Sequence, residues 1–209
     1  MYQIMYPIAH FGSVMRIEVR EETVTSIEAY ARISTAFRVE RQLVIPTVPW
    51  PESGGPLHDE PVVSPFTKDY DTIPDNRPTD WVRCVDTTRW RVFTAVVDNT
   101  RVGGAILAPA DDQRAATRGV IELRDLRVAP TWRRRGIART LWATIEAAAM
   151  AAGTLAIDIE TQQINVAACR FYAAHGCVLV GVDRAAYPLL PDEVRLRWRK
   201  VVRVDERAT

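Results

Sequence analysis

Residues 120–142 read VIELRDLRVAPTWRRRGIARTLW, and this stretch restricts the fold more than any other. Residues 120–128 alternate apolar and polar, as a half-buried strand does. A short turn, Ala129-Pro130-Thr131-Trp132, follows. Ile137, Leu141, Ile145 and Ala148 then recur at helical spacing, which predicts a buried helix starting near Arg133. The first amides of such a helix lack intrahelical partners, and the aligned peptide dipoles leave about half a positive charge there. Arg133, Arg134, Arg135 and Arg139 add their charges at the same end, and Gly136 lets a ligand approach the backbone without meeting a Cβ. Together these features describe a site for a phosphate or pyrophosphate. The glycine spacing fits neither a P-loop nor a dinucleotide fingerprint.

The chain has 209 residues and a net charge of +1, which suits one ordinary soluble domain and argues against a general nucleic-acid binder. Cys84, Cys169 and Cys177 form no CxxC pair, so they read as reduced thiols of a cytoplasmic protein, with no disulfide frame and no metal site. Residues 1–12 lack the basic start and apolar core of a signal peptide, and the most apolar region, 147–157, is too short to span a bilayer.

In chain order, Met5, Ile8, Phe11, Val14 and Met15 read as an extended arm or a first strand, Ile17, Val19 and Arg20 more as a strand, and Thr25 or Ser26 as the cap of a helix over Ile27, Tyr30, Ala31 and Ile33. Residues 38–45 form a strand by their alternation. Residues 46–80, punctuated by eight prolines and Gly54-Gly55, read as a long loop. A hairpin follows, 90–97 and 101–107 around Asp98-Asn99-Thr100, then a polar loop at 111–119. After the central strand and long helix come a strand at 155–160, a helix at 165–175 stopped by Gly176, and closing strands at 177–182 and 194–202. This order implies an α/β fold of the α+β type, a mixed sheet with helices packed on it.

Arg133, Gly136 and Ala138 match the Q/R-x-x-G-x-G/A pattern of motif A in the GCN5-related N-acetyltransferases, the GNAT superfamily. Asn165, Ala168, Phe171-Tyr172 and Gly176 resemble that superfamily's second motif, N-x-x-A-x-x-F-Y…G, and Asn165, Ala168 and Tyr172 share one helix face. The likeness narrows toward the streptothricin acetyltransferases through Glu160-Thr161-Gln162, Gly181-Val182-Asp183, Tyr187 and residues 64–70. Arg124 departs from that group, standing beside Asp125 where an acidic pair would fit. The resemblance implies the GNAT fold, with a mostly antiparallel central sheet flanked by helices, over residues 37–203; an arm and helix (1–36) precede it and a short tail (204–209) follows.

It also implies acetyl-CoA as cofactor and an amine as acceptor. The cofactor positions would be Leu126, Arg127 and Val128 on the strand, Arg133, Arg134, Arg135, Gly136, Ile137, Ala138 and Arg139 at the turn, and Asn165, Ala168, Phe171 and Tyr172 on the second helix. Glu122 is the first candidate base and Asp125 the second; alternation puts them on opposite faces unless a bulge intervenes. Tyr172 would protonate the leaving thiolate, and Tyr70, Asp71 and Glu160 would face the substrate. The expected activity is acetyl transfer to a small-molecule primary amine, with no nucleic-acid or membrane partner. Transfer to a protein lysine or N-terminus, and a non-catalytic acyl-CoA-binding module, are the alternatives. Pairing between chains as a homodimer stays open.

Overall fold

The computed structural model describes residues 15–45, 56–110 and 119–203. The elements in chain order are β1 (Glu18–Glu22), α1 (Ile27–Tyr30), β2 (Phe37–Leu43), β3 (Asp59–Lys68), α2 (Pro78–Cys84), β4 (Arg91–Val97) and β5 (Thr100–Pro109). Then come β6 (Val120–Val128), α3 (Ile137–Ala151), β7 (Ala156–Gln162), α4 (Val166–Ala174), β8 (Val178–Asp183) and β9 (Arg195–Val201). Seven strands form one sheet in the order β1-β4-β5-β6-β7-β9-β8, and β2 and β3 form a separate ribbon. Among the described residues, only the β6–β7 pairing of the main sheet is parallel. The mixed, mostly antiparallel sheet flanked by helices is the fold the sequence motifs imply.

The long helix is where the spacing puts it. Ile137, Leu141, Trp142, Ile145 and Ala149 of α3 are buried, packed with Leu123, Ile157, Ile159 and Trp198 of the sheet. A smaller cluster, Ile27, Tyr30, Trp90, Val92, Ile106 and Ala108, forms a second core with Trp81 and Val82 of α2 packed against it. Gly104 makes this second core possible: a Cβ there would stand 2.5 Å from the Tyr30 ring. The β4–β5 turn holds Asp98 and Asn99 at positive φ, as tight hairpins require.

Three expectations change. Residues 59–68 are a strand, not loop, and α2 begins inside the segment read as loop. Pro61 and Pro65 argue against a central strand, but among the described residues β3 bonds only to β2, so its outer edge needs no donors there. Ser26 occupies the N-cap of α1, as expected, but makes no side-chain cap bond; its Oγ donates back to Thr23 O at 2.9 Å, and α1 is a single turn. Helix α3 starts at Ile137 and not near Arg133, because Arg134 and Gly136 hold left-handed φ values of 64° and 85°. The segment expected as an arm and helix ahead of the domain supplies β1, which pairs with β4 at the sheet edge. Residues 1–14, Gly54-Gly55 and most of the 111–119 loop lie outside the described residues.

One irregularity positions the site. The β5–β6 register shifts between Ile106 and Leu107, opposite Asp125 and Leu123, which leaves Arg124 as an extra residue. Such a bulge bends its strand. Accordingly β6 pairs with β7 only over Val120–Leu123, while beyond that point β7 bonds to β9 alone. The two strands part, and a wedge opens between them at the carboxyl end of β6.

Candidate active site

The amino end of α3 closes the wedge. Its first intrahelical bond runs from Thr140 N to Gly136 O at 3.0 Å, so the amides of Ile137, Ala138 and Arg139 have no intrahelical acceptor. No side chain caps the helix and no acidic residue stands in its first turn. A Cβ on Gly136 would meet nothing within 4 Å, so this glycine serves the left-handed turn while the space above it stays open. The result is a cluster of main-chain donors with positive partial charge, fit for an anion.

The four arginines divide. Arg134 and Arg139 line the cleft. Arg133 turns inward: its Nε donates to Val128 O at 3.0 Å and its Nη2 to Thr35 O at 3.3 Å, and burial pulls its pKa down. Its guanidinium is therefore committed to holding the turn against β6. Arg135 lies 5.2 Å from the Trp132 ring centre and is not among the residues lining the cleft.

Helix α4 forms the opposite wall. Asn165 caps it, its side-chain oxygen accepting from Ala168 N at 3.2 Å, which is why this residue type starts the helix. Tyr172 is 5 % exposed and packs edge-on to Trp142 and Phe171 at 5.6 and 5.4 Å. It lines the cleft, and burial lifts its phenol well above the usual range. Cys169 lies beneath this wall, with Thr161 Oγ1 at 3.4 Å. Cys169 is fully buried, and burial pushes its thiol up to about 12, which favours the neutral thiol at neutral pH.

At the other end Glu122 and Asp125 line the same cleft, because the bulge cancels the alternation that would separate them. Their surroundings differ. Glu122 stands 3.6 Å from Arg124 with its side chain one-third exposed. Asp125 is held tightly: its Oδ2 accepts from Tyr30 Oη at 2.8 Å and from Arg127 Nε at 2.5 Å. Arg127 is buried and also binds Asp71 at 3.2 Å and Ile33 O at 2.9 Å, with Tyr30 beneath its guanidinium. The Arg127 side chain is thus unavailable to a cofactor, although its backbone borders the wedge between Leu126 and Val128. Asp71 belongs to the same network and also lines the cleft.

Tyr70 donates to Glu193 at 2.7 Å, and Lys68 pairs with the same carboxylate. Glu160 accepts from Tyr187 at 2.7 Å and remains open to solvent. Sequence reasoning missed Tyr30, Lys68, Glu193, Trp81 and Trp90 as neighbours of the site. Tyr30 and Asp125 are 95 residues apart, so no local pattern pairs them. Among the described residues no cluster of His, Cys, Asp or Glu could hold a metal, and no helix is long and apolar enough to cross a membrane.

Comparison with known proteins shows a family and a fold. A model of the acetyltransferase (GNAT) family matches residues 59–177. A streptothricin acetyltransferase of Escherichia coli is 30% identical over 139 residues, 65% of this chain and 71% of that protein. The crystal structure of nourseothricin acetyltransferase superposes with a TM-score of 0.69 at 21% identity, covering 90% of this chain and 99% of that one. A Bacillus anthracis protein described as a streptothricin acetyltransferase, in complex with acetyl coenzyme A, gives 0.68 at 22% identity over 90% and 98%.

Proposed function

The chain belongs to the acetyltransferase (GNAT) family, and on that footing we propose that it moves the acetyl group of acetyl-CoA directly to a primary amine of a small molecule. A streptothricin-like antibiotic is the first acceptor to try, given the relatives it resembles. One observation carries this reading. A single cleft of about 1520 Å³ joins the uncapped start of α3 to the carboxylates of β6 and the buried phenol of α4.

The residues present fit acetyl-CoA. The amides of Ile137, Ala138 and Arg139, with the Arg134 and Arg139 side chains, would hold its diphosphate. The main chain of Leu126 and Val128, on the edge of β6 that β7 leaves unpaired, would take its extended arm as an added strand. Asn165, Ala168 and Phe171 would form the other wall. The bound coenzyme supplies an acetyl group activated as a thioester.

An aliphatic amine arrives protonated; with a pKa near 10.4, only about one molecule in 2,500 is neutral at pH 7. Glu122 takes that proton, directly or through water: its side chain is one-third exposed in the cleft, whereas Asp125 is bound to the buried Arg127. Asp125 serves as counter-ion to Arg127. Tyr172, protonated at neutral pH as phenols are, lines the same cleft and would donate to the departing sulfur. Cys169 takes no part, so no acyl-enzyme forms.

The test is thiol release from acetyl-CoA with streptothricin, aminoglycosides, polyamines and lysine peptides as acceptors. Turnover with at least one free small amine, exceeding that with peptides, is expected. Peptide turnover exceeding every small amine would move the reading to protein acetylation, and failure of CoA to bind would end it.

A further inference from the structure

Arg124 has no task in acetyl transfer as set out above, yet it is the residue that the β6 bulge pushes into the cleft. Its guanidinium carbon lies 5.4 Å from the Trp81 ring centre and 5.7 Å from that of Trp90. The two indoles meet edge-on at 6.5 Å, and Trp90 is buried. An arginine bracketed by aromatic rings uses its faces for cation–π contact and keeps its N–H edge for hydrogen bonding. The bracket also orders the side chain in advance, so less rotamer freedom is lost when a ligand arrives. The side chain is 34% exposed, and Glu122 stands 3.6 Å away.

A fixed cation beside the proposed base disfavours an acceptor that carries only positive charge. It favours one that brings a carboxylate, because a guanidinium fork matches a carboxylate in two parallel bonds. From this juxtaposition we propose that Arg124 is a specificity-determining residue that binds a carboxylate of the acceptor, within a few bonds of the amine deprotonated by Glu122. The acceptor class is then an amino acid or an amine built on one. This inference rests on the acetyl-transfer reading of the same cleft and moves its substrate to carboxylate-bearing amines, ahead of the cationic antibiotic named above.

Matched acceptors differing only in the carboxylate supply the test: lysine against cadaverine, and β-alanine against ethylamine. Wild-type kcat/KM should favour the carboxylated member by about tenfold or more, the usual worth of a charged hydrogen bond. In R124M that ratio should fall to near one, and in R124K to an intermediate value, with kcat changing less than KM. Calorimetric titration of the same pairs into the protein, with and without CoA, reads the contact independently of turnover. CoA binding with no carboxylate preference, or a preference unchanged in R124M, would overturn this inference and leave acetyl transfer standing. Loss of CoA binding would instead strike the parent reading, while the coenzyme-free titrations still judge Arg124. Melting curves establish that each variant is folded.

Discussion

Glu122 and Asp125 share a strand and a cleft but differ in what substitution should do. Glu122→Gln removes the proposed base and leaves packing intact, so kcat should drop by roughly 10²- to 10⁴-fold with little change in melting temperature. Asp125→Asn leaves the buried Arg127 short of its nearest counter-charge. Breaking such a pair costs about 3 kcal/mol, which lowers the melting point by roughly 6–12 °C in a chain of this size. Equal loss of turnover without destabilisation in D125N would make Asp125 the base instead. The cysteines give a second contrast. Burial pushes the Cys169 and Cys177 thiols up to about 12, while Cys84 is exposed. Iodoacetamide at pH 8 should therefore label Cys84 alone in the native protein, as read by peptide mass spectrometry. Rapid labelling of Cys169 would mean that the α4 wall opens.

Among the elements, β1 depends most on charge. Glu21 hydrogen-bonds Arg91, and Glu22 hydrogen-bonds Arg101 and Thr94, which ties the strand to β4 and β5. Chiefly because of these arginines, both carboxyls titrate below the usual range. Their stabilisation is complete above the unfolded value of about 4.3 and is lost as pH falls through the lower folded values. The urea midpoint should fall as pH drops below about 4.3, and an E21Q/E22Q variant should lose part of that fall, about 1 kcal/mol for the two half-exposed pairs together. An identical pH profile in the variant would show that β1 is held by its backbone ladder alone. This tie also marks the limit of what could be read ahead of the fold. The β4–β5 hairpin, α3 and α4 were legible because turn residues and apolar spacing are local signals. Strand β3 was not, since its prolines are tolerated only because of where the ribbon sits. In the site, the α3 turn was legible by its glycine and arginines. The engagement of Asp125, Asp71 and Arg127 with Tyr30 was not, because it joins three distant segments.

For the molecule as a whole, the wedge and the uncapped helix should make stability respond to ligand. In this structure α3 ends on unpaired amides and arginine charge at the floor of the cleft, so an anionic coenzyme that binds the folded state alone must stabilise it. At 100 times its dissociation constant CoA should add about 2.7 kcal/mol, which corresponds to a melting shift of roughly 5–10 °C. Gly136→Ala tests whether the turn is the cause. A side chain at φ 85° costs about 1–2 kcal/mol, although the space around that Cβ is empty. The strain should be relieved by rotating the turn, which disperses the donors that face the diphosphate. G136A should therefore melt somewhat lower on its own and show a much smaller CoA shift than the parent. If the unliganded variant is destabilised but its CoA shift is undiminished, the diphosphate binds elsewhere in the cleft, and the α3 turn is a structural joint only.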